Sequence, residues 1–172
     1  GTRSVYAYTS ENDRASLIQL SKDAAQAIEG ASKDTDITLT RQDVKKINIV
    51  EVAPSGVPLQ KKVEVMRGAH KAASEYDKLI TQVQVGYGDT RQEGLIVNSE
   101  GLMAEDERIR TRVTIRAVAS KDGEMQEGFY GPGASRGFEL YDMIDVPAYA
   151  REAARVAVTM VNARPCPSGQ MP

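Results

Sequence analysis

The chain has 172 residues, 41% hydrophobic and 27% charged, with 22 basic against 24 acidic side chains and a formal net charge of −2. It holds one histidine, His70, one cysteine, Cys166, and no tryptophan. These counts exclude an internal disulfide and a metal site of three or four His/Cys ligands, and they force any nucleophile–histidine arrangement to use His70.

The length suits one domain, and the hydrophobic fraction supports a real core built on Val, Ile, Leu, Ala and Tyr. The near-balanced charge lacks the basic footprint of nucleic-acid binding. No apolar run approaches a membrane span and no signal-peptide pattern opens the chain, so neither nucleic acid nor membrane is expected as a partner. A lone cysteine makes the cytoplasm the simplest compartment.

Along the chain, β-branched and aromatic content predicts a strand over Val5–Tyr8. Gly1 is not a methionine, and a strand this early without a partner suggests that residues upstream were removed, although Gly1 equally suits a tag scar. Ser10-Glu11-Asn12-Asp13 reads as a helix N-cap with acidic residues in the first turn. Leu17, Leu20, Ala24 and Ile28 then recur at helical spacing, with Gly30 as C-cap. Residues 32–57 read as a variable insert or edge segment, with extended stretches at Ile37–Thr40 and Ile47–Val52 and a turn at Pro54-Ser55-Gly56.

Pro58 opens a second helix, in which Leu59, Val63, Met66, His70 and Ala73 form one stripe. His70 thereby reads as a packing residue rather than a ligand. The period then switches to two, through Val83, Val85 and Tyr87, continuing over Asp89–Glu93 and Leu95–Val97 to a turn at Asn98–Gly101. Next comes the clearest strand, with Ile109, Thr111, Val113, Ile115, Ala117 and Ala119 on one face and Arg108, Arg110, Arg112 and Arg116 on the other. Asp122-Gly123 turns the chain into an antiparallel return over Met125–Tyr130. Gly131–Gly137 forms a glycine-rich loop that lacks both the Gly-Lys-Ser/Thr ending of a P-loop and the GxGxxG spacing. Asp145 caps a last helix whose Ala150, Ala153, Ala154, Ala157 and Val161 make a small-residue face, and Arg164-Pro165 ends it. The order predicts an α+β fold, a mostly antiparallel sheet with helices packed on one face.

The candidate chemistry is sparse. The arginine strip reads as a solvated or salt-bridged face. Asp89, Glu93, Glu105, Asp106 and Glu107 are not spaced so as to put two carboxylates on one pocket wall. Cys166, between two prolines, carries no activation signal. No catalytic, cofactor-binding or metal-ligating residue is assigned.

The blocks Val83-Gln-Val-Gly-Tyr87-Gly-Asp89-Thr-Arg91-Gln-Glu93-Gly-Leu-Ile-Val-Asn98-Ser99-Glu-Gly101, Gly128-Phe129-Tyr130-Gly131-Pro-Gly133 and Arg136-Gly137-Phe138-Glu139 together resemble the TldD/PmbA family, also known as modulators of DNA gyrase. Pro58-Leu59 at a helix start, the helix Tyr149-Ala150-Arg-Glu-Ala-Ala-Arg155 and the close Pro165-Cys-Pro-Ser-Gly169-Gln-Met-Pro172 extend the resemblance over nearly the whole chain, least well around residues 32–57. The Phe129–Gly137 segment and the ending favour the TldD-like branch.

That branch implies a cytoplasmic zinc-dependent peptidase acting on peptides or unfolded polypeptides, with an HExxxH helix and a later cysteine as ligands. The resemblance places that helix after Gly169-Gln170-Met171-Pro172, so no ligand carries over onto this chain. Residues 1–172 are then expected to be most of the N-terminal domain, with 163–172 a linker to a catalytic half. The fragment itself is expected to be inactive and without zinc. The implied partners are a PmbA-like subunit or further copies of the chain, and a peptide substrate held by a sheet edge or the Gly131–Gly137 loop. The alternatives left open are a domain of the non-catalytic PmbA-like subunit and an interaction domain acting on gyrase.

Overall fold

The structure is a computed structural model and describes residues 4–28, 36–164, Cys166 and Gly169. The expectations for Gly1, the Gly30 cap and most of the Pro165–Pro172 tail lie outside the described residues.

The chain divides into two compact units, residues 1–38 and residues 39–172. In the first, helix α1 spans Arg14–Ala27. Its cap is Asp13 rather than Ser10, because the Asp13 carboxylate accepts the Ala15 and Ser16 N–H groups at 2.9 and 3.1 Å. These are two of the N–H donors that a helix start leaves without partners. The Ser16 hydroxyl adds a bond to the same side chain, and together these hold the Asp13 carboxyl below its ordinary range. Val5–Tyr8 forms no strand; the Tyr6 and Tyr8 rings lie tilted against each other instead, their centroids 6.0 Å apart.

The second unit is an α+β sandwich of one sheet and two long helices. Its strands are β1 (Thr40–Gln42), β2 (Ile80–Val97), β3 (Leu102–Lys121), β4 (Glu124–Tyr130) and β5 (Gly133–Ala134). Helices α2 (Leu59–Ser74) and α4 (Val146–Val161) flank β2–β5 in sequence, and α3 (Leu140–Met143) is a single turn. β3 is the spine of the sheet. On one side it pairs antiparallel with β2 over nearly its whole length, from Ile80↔Ala119 to Val97↔Met103. On the other side three short strands take turns along it: β1 in parallel, then β5, then β4, both antiparallel. The sheet is therefore mostly antiparallel, as the alternating sequence predicts.

Local chemistry sets the two long turns. Asp122 and Gly123 both adopt positive φ, 52° and 85°. That backbone suits the twist of a tight hairpin and explains the Asp-Gly pair between β3 and β4. At the β2–β3 turn the Asn98 side chain accepts the Glu100 and Leu102 N–H groups, both at 3.0 Å, and Gly101 takes φ 89°.

The core lies between β3 and the helices. Thr111, Val113, Ile115, Ala117 and Ala119 are buried along one face of β3. Against them lie Ala150, Ala153, Ala154 and Ala157 of α4, all 0% exposed, and Ala69 and Ala73 of α2. The alanine face brings α4 close enough to β4 that a Cβ on Gly128 would collide with the Ala153 carbonyl. Asp145 caps α4 through the Ala148 N–H at 2.9 Å.

α2 corrects the predicted stripe. Ala73 is buried as expected and Val63 and Met66 are half-buried, but the other core-packed residues are Val65, Ala69 and Ala72, and Leu59 and His70 are exposed. His70 is exposed, and its Nδ1 lies 3.4 Å from the Ser74 hydroxyl. The physical reason is close packing: alanines let α2 and α4 approach, whereas Leu59 and His70 are too bulky for that seam. Leu59 is left 69% exposed. The insert region also differs from expectation. Among its described residues only Thr40–Gln42 joins the sheet, and Ile47–Val52 forms no strand.

Candidate functional site

Three arrangements converge where β1 ends and β5 begins along β3. The first is an interruption of the sheet. β1 pairs with β3 as far as Gln42↔Ala104, and β5 starts at Ala134↔Thr111. Between them, residues 105–110 of β3 pair with no strand on that side among the described residues. The Val113 N–H points to this side, where it donates to the Pro132 carbonyl at 3.0 Å. By the two-residue alternation of a strand, the N–H and C=O groups of Glu107 and Ile109 point the same way. Residues 43–50 run alongside, yet among the described residues they give these groups no backbone hydrogen bond. Instead a cleft of about 750 Å³ lies between Val44–Val50 and the Ala104–Arg110 stretch, reaching across the sheet face to Arg91 and Ile96 of β2, with Ser135 at its β5 end. An unpaired run of backbone donors and acceptors beside open space is a template for another strand.

The second arrangement ties down the far end of that segment. Glu139 is 5% exposed. Its carboxylate accepts the Val52 N–H at 3.0 Å and the Gly137 N–H at 2.8 Å. Phe138 N–H returns a bond to the Val52 carbonyl at 2.8 Å, and Thr111 donates its hydroxyl to the Gly137 carbonyl at 3.2 Å. Burial alone would raise the Glu139 carboxyl; the N–H donors, from Val52 and Gly137 first, outweigh it and hold the group below its ordinary range. Gly137 is required here, because a Cβ would strike the Val52 carbonyl.

The third is an aromatic cluster on the adjoining β2 surface. Tyr87, Phe138 and Tyr141 pack ring against ring, with centroids 5.1 to 6.4 Å apart. Lys62 of α2 sits 5.0 Å from the centre of the Tyr87 ring and 2.8 Å from the Asp89 carboxylate. The Lys62 hydrogen bond is the main reason the Asp89 carboxyl is held low. The hydroxyls of Tyr87 and Tyr141 are both buried without a hydrogen bond of good geometry. Burial is the main cause that pushes both phenols up, Tyr141 to about 12 and Tyr87 further, with the Asp89 carboxylate adding to each.

Of the residues singled out from sequence, Glu105, Asp106, Glu107, Arg108 and Arg110 line the cleft, Asp89 joins the aromatic cluster and Gly137 the Glu139 node, whereas His70 and Cys166 lie outside these arrangements. His70 is on the exposed side of α2, and Cys166 is exposed. Each carboxylate of the acidic group faces a cation: Asp89 with Lys62, Glu93 with Arg91, Glu105 with Arg41, Asp106 with Arg108, and Glu107 with both Arg91 and Lys46. Chiefly through Arg91, the Glu107 carboxyl is lowered. The arginine strip is likewise engaged, with Arg116 on Glu127 and Arg112 donating to the Gly131 carbonyl; Arg110 lines the cleft. The glycine loop is no phosphate cradle. Its Gly133-Ala134 becomes β5 and its Gly137 becomes part of the Glu139 node.

Zinc is the metal that the family resemblance implies. Among the described residues, no group of three or more His, Cys, Asp or Glu side chains could hold a metal ion. The donor set of the described residues does not fit a metal centre. No helix is long and apolar enough to cross a membrane, among the described residues.

The pairing roles of Glu139 and Lys62, and the place where the sheet edge is interrupted, were not legible in the sequence. Asp89, the Glu105–Glu107 group, the arginine strip and the glycine loop carried a signal; how they come together depends on contacts between distant segments.

Residues 53–161 match the family model described as the PmbA/TldA metallopeptidase central domain. A metalloprotease of Methanothermobacter thermautotrophicus is 34% identical over 117 residues, covering 68% of this chain and 25% of that protein. A metalloprotease TldD homolog of Haemophilus influenzae is 25% identical across 100% of this chain and 37% of its own length. Two solved structures share the fold, both of proposed modulators of DNA gyrase. The one from Bacteroides thetaiotaomicron has a TM-score of 0.71 at 12% identity, over 94% of this chain and 38% of its own. The one from Thermotoga maritima has a TM-score of 0.65 at 18% identity, over 88% and 34%. The chain thus spans between a quarter and two fifths of these proteins. With more than half of its residues matched to the family's central-domain model, this chain belongs to the PmbA/TldD family.

Proposed function

We propose that this chain is the polypeptide-holding part of a TldD-like zinc peptidase, and that residues 105–110 of β3 receive an extended peptide as an added strand. The cutting chemistry and its zinc would belong to the part of the protein that this chain does not span. The observation that carries the reading is the interruption of the β3 edge between β1 and β5, with the Glu107 and Ile109 backbone groups facing the cleft. Strand addition draws its affinity from main-chain hydrogen bonds, which suits binding of peptides with little regard to sequence. The relatives named metalloproteases agree with a peptide as ligand.

The test uses the 172-residue chain and an unstructured ten-residue peptide rich in Thr and Val. Binding is expected to slow amide hydrogen exchange at Glu107 and Ile109, and alternate N-methylation of the peptide backbone is expected to abolish both binding and protection. Binding that survives N-methylation, or that protects other amides, would overturn the reading.

A further inference from the structure

Residues 43–48 have the length and the register to close the edge beside which they lie. β1 pairs in parallel with β3 as Thr40↔Leu102, Arg41↔Met103 and Gln42↔Ala104. Continued without a slip, this register sets Asp43 opposite Glu105, Lys45 opposite Glu107, Lys46 opposite Arg108, Ile47 opposite Ile109 and Asn48 opposite Arg110. It stops where β5 takes over at Thr111. Thr40 N–H already donates to the Gly101 carbonyl at 2.7 Å. Along the same ladder Val44, Lys46 and Asn48 would donate to Glu105, Glu107 and Ile109, the carbonyls that now face the cleft.

Opposing effects govern whether this strap pairs. Ile47 is 86% exposed and would move beside Ile109, and Lys45 would face Glu107 as an opposite-charge pair, both of which favour closure. Against it stand two like-charge pairs, Asp43 with Glu105 and Lys46 with Arg108, which directly opposite each other on a sheet are unfavourable. At present Lys46 of the strap pairs with Glu107 at 3.6 Å, and Arg41 of β1 with Glu105 at 2.6 Å, without a ladder between the strap and β3. The Glu139 node fixes the strap's far end at Val52.

We infer that residues 43–48 are a conditional strand that adds to β3 in parallel register, so that an incoming polypeptide competes with the chain's own strap for the same edge. This rests on the strand-addition reading above. The charges along the strap set the balance, and they keep the edge open.

The decisive variant is Asp43→Lys with Lys46→Glu, which keeps the net charge and turns both like-charge pairs into opposite-charge pairs. In the full chain without peptide, exchange of the Glu107 and Ile109 amides is expected to slow about tenfold or more, as for amides newly held in a ladder. Affinity for the Thr/Val peptide is expected to fall about tenfold, since the site-competent population falls by that factor. Adding Val44→Pro and Asn48→Pro removes two strap donors and is expected to restore fast exchange and peptide binding. Unchanged exchange at Glu107 and Ile109 in the charge-reversed chain would overturn the inference, whatever the peptide does. Failure of the wild-type chain to protect those amides with peptide would overturn only strand addition, and exchange in the free chain would still judge the strap.

Discussion

Glu139 accepts a hydrogen bond from the Val52 N–H at 3.0 Å across 87 residues of sequence. The same carboxylate holds the Gly137 N–H at 2.8 Å, so one side chain joins the segment ahead of α2 to the end of the glycine loop. A buried carboxylate is tolerable here because backbone donors replace the water it has lost.

Loss of that node is expected to destabilise the chain. Glu139→Ala leaves the Val52 and Gly137 N–H groups without their partner, at a cost of roughly 1–3 kcal/mol in urea unfolding. The pH dependence has a fixed sign. Glu139 and Asp89 both have lowered folded-state values, so their stabilisation is present above the unfolded carboxylate range and is lost as pH falls through the folded values. Wild type should weaken progressively as the medium turns acid, and Glu139→Gln should weaken less steeply over the same range. Parallel pH profiles for the two proteins would contradict this.

Two glycines give opposite outcomes for the same added methyl group. At Gly128 a Cβ would meet the Ala153 carbonyl and lie 2.7 Å from the Ala157 nitrogen, so Gly128→Ala must push α4 off β4 and should cost about 1–3 kcal/mol. At Gly68, inside α2, a Cβ meets nothing within 4 Å, and Gly68→Ala should stabilise by about 0.5–1 kcal/mol. Thermal melts of the two variants, one lower and one higher than wild type, check the pair.

Ile115 is fully buried on β3 beneath the helices. Ile115→Ala should cost about 2–5 kcal/mol, because the surrounding alanines have no long side chain with which to fill the space. Chemical denaturation with an unchanged m-value would mark this as a packing loss rather than a change in the denatured state.

The buried phenols provide an alkaline signature. Tyr141 is pushed up to about 12 and Tyr87 further, mainly by burial. A raised folded-state value gives stabilisation that is complete below the unfolded value, about 10 for tyrosine, and that is lost as pH rises through the folded value. Tyr141→Phe removes a hydroxyl that lacks a well-formed hydrogen bond, so stability at neutral pH should hold within about 0.5 kcal/mol. Its decline above the ordinary tyrosine range should be shallower. Absorbance at alkaline pH alongside urea unfolding reads both.

His70→Ala should leave stability within about 0.5 kcal/mol of wild type, since the imidazole is exposed. Calorimetric titration of the wild-type chain with zinc is expected to show no tight stoichiometric binding. Such binding, abolished by His70→Ala, would reveal a metal site that the described side chains do not form.

What the sequence determined was local. Period-two alternation gave β2 and β3, Asp-Gly and Asn-x-x-Gly gave their turns, and Asp145 gave the cap of α4, because each depends on neighbours within a few residues. The alanine face of α4 was legible for the same reason, and the ordered blocks from Pro58 onward were enough to point to the family. Tertiary structure decided how α2 packs, where the alanine seam left Leu59 and His70 of the expected stripe exposed. It also decided the fate of Ile47–Val52, whose strand-like residues stay off the sheet. The pairing roles of Glu139 and Lys62 were not legible in the sequence because their partners lie 87 and 27 residues away. The open edge of β3 was equally hidden: it exists because β1 ends and β5 begins with six residues of β3 between them, from 105 to 110, a spacing set by pairing alone.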